Sequence, residues 1–162
     1  MNKSEFTEII NVSVEKTWEV LFRQYGDIHI HNPTMISSNY MNSASIGAVN
    51  CSRRCMFDEK LYVEEVITEV DENTRFKVVV TDHNLPFLKE MSAVYELAPI
   101  GKEETKIKMS SFTSTSPSFM IYLMRGQLGK SLKKHLFGMK YYIETGKTID
   151  IGNYAKIYKS YR

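Results

Sequence analysis

The chain has little of what several functional classes require. Its 162 residues include two cysteines, four prolines, and 21 Lys and Arg residues against 19 Asp and Glu residues. A formal net charge of +2 is too small an excess of positive charge to favour binding to nucleic acid or to an anionic membrane. No apolar run approaches the roughly 18 residues of a membrane span. The composition therefore predicts one soluble globular domain that binds no nucleic acid and does not integrate into a membrane.

Signals for export, metal binding and several catalytic mechanisms are also missing from the sequence. The first seven residues lack an apolar segment, so we expect a cytoplasmic protein. Cys51 and Cys55, four apart on a predicted strand, would be about 13 Å apart, too far for a disulfide. No cysteine or histidine pair completes a metal site, and no Gly-x-Ser-x-Gly, phosphate-loop or dinucleotide motif occurs. We therefore predict no metal or other cofactor.

The pattern of apolar residues predicts a mostly antiparallel β protein with helices at both ends. A strand over 3–12 precedes an amphipathic helix over 14–25, which Gly26 ends, and a short helical or irregular piece over 27–31. Further strands are predicted over 36–45, 48–57, 61–70, 74–82, 87–98 and 104–114. Because the connectors between them are short and prone to turns, we expect a meander of antiparallel strands.

A long C-terminal helix is predicted from Ser116-Pro117 onward, over about thirty residues. Its apolar stripe consists of Phe119, Leu123, Gly126, Leu132, Leu136, Met139 and Ile143. Gly126 and Gly129 each cost about 1 kcal/mol relative to alanine, so we expect either a close backbone approach or room for a guest molecule. The predicted fold class is α+β: a curved, six- to seven-stranded antiparallel sheet wrapped around this helix, with two short helices after the first strand.

Five pieces of sequence occur in the order and spacing of a known superfamily. They are the 14–21 segment with Val14 and Trp18, His31-Asn32-Pro33, Ile46-Gly47-Ala48-Val49, Glu65, and Leu85-Pro86-Phe87. Over residues 6–143 the chain resembles the START-like or SRPBCC superfamily, the helix-grip fold, and above all its polyketide cyclase/dehydrase-type branch. It departs from that pattern at Asn50, where arginine is frequent, and at His31, where an aromatic residue usually precedes the proline.

The resemblance implies a cavity between the sheet and the long helix, of about 300–1,000 Å³ if it is a typical ligand site. Alternation along the strands and the helical stripe then suggest its lining: Val63, Glu65, Ile67, Phe76, Val78, Val80, Met91, Ala93, Tyr95, Ile107, Met109, Ser111, Leu123, Gly126 and Leu132. The alternative for each is an ordinary core residue. We expect the cavity to bind a small hydrophobic or amphipathic molecule of lipid, polyketide or aromatic type.

Glu65 is the most informative residue of this set. If it faces inward, its carboxylate must be paired, for example with Arg53 or Arg54, or be protonated or hydrogen-bonded to a ligand. A shift of register by one residue would instead place Glu65 in solvent. The alternative function is a cyclase- or dehydratase-like enzyme in which Glu65, His31 and Tyr95 are the candidate acid and base groups.

The remaining histidines and the C-terminus complete the expectations. His29 and His31 are predicted near the cavity mouth as surface residues, and His135 on a solvated face of the long helix.

Residues 1–148 are predicted to form the ligand-binding domain, and 149–162 a basic-aromatic extension. Three tyrosines of the extension, Tyr154, Tyr158 and Tyr161, have helical spacing that favours docking on the domain or on a second subunit of a homodimer. Met120 and Met124 have two interpretations: adaptable parts of the cavity wall, together with Met91, Met109 and Met139, or an interaction surface on a face away from the Phe119 and Leu123 stripe.

Overall fold

The structure, a computed structural model, describes residues 1–41 and 47–161. The strands are β1 (Asn2–Ile10), β2 (Ser37–Tyr40), β3 (Ser52–Met56), β4 (Tyr62–Asp71), β5 (Arg75–His83), β6 (Leu88–Gly101) and β7 (Glu104–Thr115). The helices are α1 (Val14–Trp18), α2 (Met120–Thr145) and α3 (Tyr154–Ser160). A π-helical turn, Glu19–Arg23, and a 3-10 segment, Tyr25–Ile30, follow α1.

All seven strands form one antiparallel sheet in the order β1-β7-β6-β5-β4-β3-β2. The predicted α+β architecture, a meander wrapped around a long C-terminal helix, is confirmed. β3 begins at Ser52 rather than at residue 48, because Gly47 and Asn50 both take the left-handed backbone conformation of a turn. Of the strand predicted over 36–45, β2 holds 37–40, and residues 42–46 lie outside the described residues.

The helix predicted over 14–25 has two parts, since α1 ends at Trp18 and continues as the π-helical turn. Trp18 and Phe22 are fully buried, and their ring centroids lie 4.5 Å apart. Both rings also contact Phe76 of β5, at 5.7 and 5.4 Å. This aromatic cluster joins the first helical segment to the middle of the sheet.

The inward face of α2 differs from the predicted stripe in the first half of the helix, whereas Leu132, Leu136, Met139 and Ile143 in the second half are partly or fully buried, as predicted. Met120, Met124, Leu128 and Leu132, at every fourth position, are partly buried, and the seam continues through the buried His135 and Met139. Leu123 is 71% exposed, and Phe119 and Gly126 are also exposed. Met120 and Met124 therefore face inward rather than forming an outward interaction surface. The two interpretations differ by one helical position, a rotation of about 100°, which only the packing against the sheet resolves.

The close backbone approach on α2 occurs at Gly138 rather than at Gly126. A Cβ atom at Gly138 would lie 2.3 Å from the carbonyl oxygen of His31. A Cβ atom at Gly126 would have nothing within 4 Å, so this exposed glycine provides neither a close approach nor room for a guest. Gly138 thus fixes the distance between α2 and the His31 loop.

The C-terminal extension packs on its own domain. Ile149 is 1% exposed, and its backbone N–H donates to the carbonyl oxygen of Ile30 at 3.3 Å. The rings of Tyr154 and Tyr158 on α3 meet Phe137 of α2 at centroid distances of 5.8 and 4.8 Å. The extension therefore covers the outer side of α2. Within 1–41 and 47–161, no helix is both long and apolar enough to cross a membrane.

Candidate functional site

A cavity of about 100 Å³ lies between the concave face of the sheet, α2 and the 3-10 segment. It is smaller than the predicted 300–1,000 Å³ because large side chains, among them Tyr95, Met109 and His135, occupy part of the space. Eight of the residues predicted to line it do so: Val63, Glu65, Val80, Met91, Ala93, Tyr95, Met109 and Leu132. The other lining residues are Ile28, Asn32, Thr34, Met35, Arg53, Phe57, Leu85, Leu128, Ser131 and His135.

The other predicted lining residues lie elsewhere. Ile67, Val78, Ile107 and Ser111 are buried in the core, and Phe76 borders a second space of about 10 Å³ beside Tyr95 and His135. Leu123 and Gly126 do not reach the interior, and the prediction that they line the cavity is wrong. Both residues are exposed to solvent, because α2 is rotated relative to the orientation predicted for it.

Part of the wall could not be found from sequence periodicity. Ile28, Asn32, Thr34 and Met35 come from the 3-10 segment and the loop after it, where no regular repeat marks an inward face. Leu128 and Ser131 lie on the α2 seam, which the predicted stripe missed. The strand side of the cavity was more accessible to prediction because alternation assigns side chains to faces.

Arg53 and Glu65 form a buried ion pair on the cavity wall. They lie opposite each other on β3 and β4, and the guanidinium donates from Nε and Nη2 to Oε2 of Glu65, at 2.8 and 2.6 Å. Nη1 donates to the carbonyl oxygen of Tyr25 at 2.6 Å, and the guanidinium lies 3.8 Å from the Tyr25 ring centroid. Arg54 and Glu64, the neighbours in sequence, pair on the outer face. The register therefore places Glu65 inward.

The two oxygens of the Glu65 carboxylate differ. Oε2 accepts both bonds from Arg53, and the Cys55 thiol lies 3.9 Å from the same oxygen. Oε1 accepts no hydrogen bond from any residue within 1–41 or 47–161. Burial raises the pKa of Cys55 to about 12, so this thiol stays protonated and is no nucleophile at neutral pH.

Tyr95 and His135 form a second buried polar pair beside the ion pair. The Tyr95 hydroxyl and Nε2 of His135 are 3.0 Å apart, and the His31 ring centroid lies 6.0 Å from that of His135. Burial, and then the positive charge of Arg53, lowers the pKa of His135 to about 3. Burial also lowers the pKa of His31 well below its ordinary value and raises that of Tyr95. All three groups are therefore neutral at pH 7.

The histidine predictions need correction. His135 is buried rather than solvated, because it lies on the inward seam of α2. His31 is buried under α2 rather than exposed at the mouth, with its ring 5.7 Å from that of Tyr142. His29 is half-buried and its Nδ1 is 2.8 Å from the Ser38 hydroxyl, while His83 is half-buried at the end of β5. The described ranges hold no group of three His, Cys, Asp or Glu side chains placed to bind a metal ion.

Comparisons with known proteins establish the fold. No protein-family model matches the chain, and no curated protein does. Norcoclaurine synthase from Thalictrum flavum, in complex with dopamine and hydroxybenzaldehyde, is 14% identical with a TM-score of 0.70, covering 91% of this chain and 89% of that chain. Ara h 8.0201 is 16% identical with a TM-score of 0.68, covering 88% and 97%. A protein from Nitrosospira multiformis is 11% identical with a TM-score of 0.71, covering 90% and 98%.

The helix-grip fold predicted from the sequence is therefore confirmed. At identities of 11–16% the likeness shows the fold alone, and any chemistry has to be argued from the residues of the site. The site offers an internal, mostly apolar space with two fixed polar pairs on its wall.

Proposed function

We propose that this protein binds a small, largely apolar molecule in the cavity between the sheet and α2. The observation that carries the proposal is the cavity itself, whose wall is built mainly from aliphatic, methionine and aromatic side chains. A space lined in this way with a few fixed polar groups is typical of small-molecule sites. The similar fold of norcoclaurine synthase, whose structure holds dopamine and hydroxybenzaldehyde, supports the proposal that this chain also binds a small molecule.

The cavity volume limits the size of the ligand. An apolar cavity of about 150 Å³ in another protein holds benzene, so about 100 Å³ suits one small ring or a short chain. A lipid or polyketide would require the wall to open. Met35 and Met91 are the residues best able to allow this, because methionine is unbranched and adapts its shape.

Catalysis of a cyclase or dehydratase type is the weaker alternative. A general acid or base works best when its pKa lies near the operating pH. The pKa of His135 is lowered to about 3, and those of His31 and Tyr95 are displaced by burial in the directions that keep both groups neutral. Glu65 is held by Arg53 on one oxygen. These features support a binding cavity more than an acid–base site.

A pair of phenylalanine substitutions on β5 tests the binding proposal. Val80 lines the cavity, whereas Val79 next to it points to the opposite face of the sheet. Toluene, benzene and indole are added to the wild type, Val80→Phe and Val79→Phe, and unfolding is followed by circular dichroism. We expect at least one probe to stabilise the wild type and Val79→Phe, by about 2.7 kcal/mol at a hundredfold excess over Kd, but not Val80→Phe.

The proposal fails if none of the three probes stabilises the wild type. It also fails if Val80→Phe, folded as judged by its circular dichroism spectrum, binds the probes as well as Val79→Phe does. In that case the probes bind outside the cavity.

A further inference from the structure

We infer that the ligand of this cavity is electrically neutral and donates a hydroxyl hydrogen bond to Oε1 of Glu65. The inference rests on the proposed function and specifies the class of molecule: a small phenol or alcohol rather than an amine, an acid or a plain hydrocarbon. Two observations carry it, the charge balance of the wall and the unequal bonding of the two Glu65 oxygens.

The charges on the cavity wall cancel. Arg53 and Glu65 are the only Lys, Arg, Asp or Glu residues among the described residues that line it. Their ion pair is buried, with 4% of the Arg53 side chain and 14% of the Glu65 side chain exposed. The titratable rings on the wall, His135 and Tyr95, are both neutral, because burial lowers the pKa of His135 and raises that of Tyr95. A guest with a charge of its own would therefore bring an uncompensated charge into a low-dielectric space.

The Glu65 carboxylate supplies the acceptor. Arg53 saturates Oε2 with two hydrogen bonds and is itself held by the Tyr25 carbonyl oxygen. Oε1 accepts none from the described residues, and Glu65 belongs to the cavity wall. The Glu65 side chain is 14% exposed, and an O–H donor that reaches Oε1 forms a charge-assisted hydrogen bond with it.

Other ligand chemistries fit less well. An ammonium group would place a second cation beside one carboxylate, and a carboxylate group would face Glu65 at close range. A hydrocarbon fills the space but leaves Oε1 without a donor. A neutral hydroxyl meets both conditions, since it adds no charge and provides the missing hydrogen bond.

Five single-ring probes of similar size test the inference at pH 7 by calorimetry: phenol, toluene, benzyl alcohol, benzylammonium and benzoate. Phenol and toluene have nearly the same shape, and phenol carries a hydroxyl donor where toluene carries a methyl group. We expect phenol to bind at least about tenfold more tightly than toluene, from the usual strength of a hydrogen bond to a charged group. We expect benzyl alcohol to bind at least about tenfold more tightly than benzylammonium and than benzoate.

Two further measurements locate the acceptor. The double variant Arg53→Met, Glu65→Met removes the whole ion pair and keeps apolar side chains of similar length in its place. In this variant toluene should still bind, and phenol should no longer bind more tightly than toluene. In the wild type, labelled with ¹³C at the glutamate carboxyl carbons, phenol should shift the Glu65 resonance and toluene should not; this measurement decides even if the variant does not fold.

The outcomes separate the two proposals. If toluene binds as tightly as phenol, or benzylammonium as tightly as benzyl alcohol, the inference is overturned while cavity binding stands. A phenol preference that persists in the folded double variant, or an unmoved Glu65 resonance, overturns Glu65 as the acceptor. If no probe binds, the proposed function itself fails.

Discussion

Arg53 and Glu65 face each other across β3 and β4, and Nε and Nη2 of the guanidinium both donate to the same carboxylate oxygen. The next pair along the same strands, Arg54 and Glu64, has the same residue types but lies on the outer face, with the Arg54 side chain 48% exposed. The two glutamate side chains are almost equally covered, with 14% of Glu65 and 15% of Glu64 exposed, so the pairs differ mainly in the burial of the arginine, 4% exposed for Arg53 and 48% for Arg54.

Removing one partner of the inner pair should be costly. Glu65→Met leaves the buried Arg53 charge without its carboxylate, and we expect the free energy of unfolding in urea to fall by about 3–5 kcal/mol. Glu64→Met, the matched control, should cost no more than about 1 kcal/mol. The double variant Arg53→Met, Glu65→Met should be more stable than Glu65→Met alone. Equal losses for Glu64→Met and Glu65→Met would contradict the burial argument.

Two glycines of α2 should respond in opposite directions to alanine. Gly126→Ala adds a methyl group where nothing lies within 4 Å, so the helix should gain up to about 1 kcal/mol. Gly138→Ala would bring its Cβ atom to 2.3 Å from the His31 carbonyl oxygen, and α2 and the loop must separate. We expect a lower melting temperature for Gly138→Ala and a higher one for Gly126→Ala. A stabilised Gly138→Ala variant would show that this approach is not close.

Stability should fall as the pH drops below about 6.5, the ordinary pKa of histidine in an unfolded chain. Burial keeps the pKa of His31 well below that value and the pKa of His135 at about 3, so the unfolded chain binds more protons than the native protein. The contribution of these histidines to the free energy of unfolding is fully present above pH 6.5. It is lost as the pH falls from 6.5 toward the pKa of each histidine in the native protein. Between pH 6.5 and 5 the His135 contribution alone should fall by about 2 kcal/mol, and His31 should act in the same direction.

Urea unfolding at several pH values measures this slope, above the range in which carboxylates titrate. In His135→Gln the loss between pH 6.5 and 5 should be smaller than in the wild type, because one buried imidazole is removed. An unchanged slope in this variant would mean that His135 is not the titrating group.

The C-terminal extension should contribute measurably to stability through Ile149. This side chain is 1% exposed and would lie 3.1 Å from a Cβ atom at Gly138. Ile149→Ala should lower the free energy of unfolding by about 2–5 kcal/mol. Ile151, two residues later and 69% exposed, provides the control, and Ile151→Ala should change it by less than about 0.5 kcal/mol. Similar effects of the two substitutions would argue that the extension does not pack as described.

The sequence by itself determined the order of the elements, the antiparallel meander and the strand side of the cavity. Alternation on β4, β5, β6 and β7 assigns side chains to faces with a period of two, and short turns between consecutive strands allow only antiparallel neighbours. This is why Val63, Glu65, Val80 and Ala93 could be placed on the inner face before any coordinates. The sequence left open a one-residue change in the register of β4, which would have turned Val63 and Glu65 outward, and the inward Arg53–Glu65 pair excludes it.

Only the tertiary structure decided which face of α2 is inside and what the histidines do. The apolar residues at the start of α2 fit two neighbouring stripes, and contact with the sheet selects the one through Met124, Leu128 and His135. His31 and His135 lie 104 positions apart in the chain, so no local pattern could bring them together. Their burial, the 3.0 Å contact between Tyr95 and His135, and the small volume of the cavity all depend on how closely α2 approaches the sheet and the His31 loop. That distance is set at Gly138, where the absence of one methyl group lets two backbones meet.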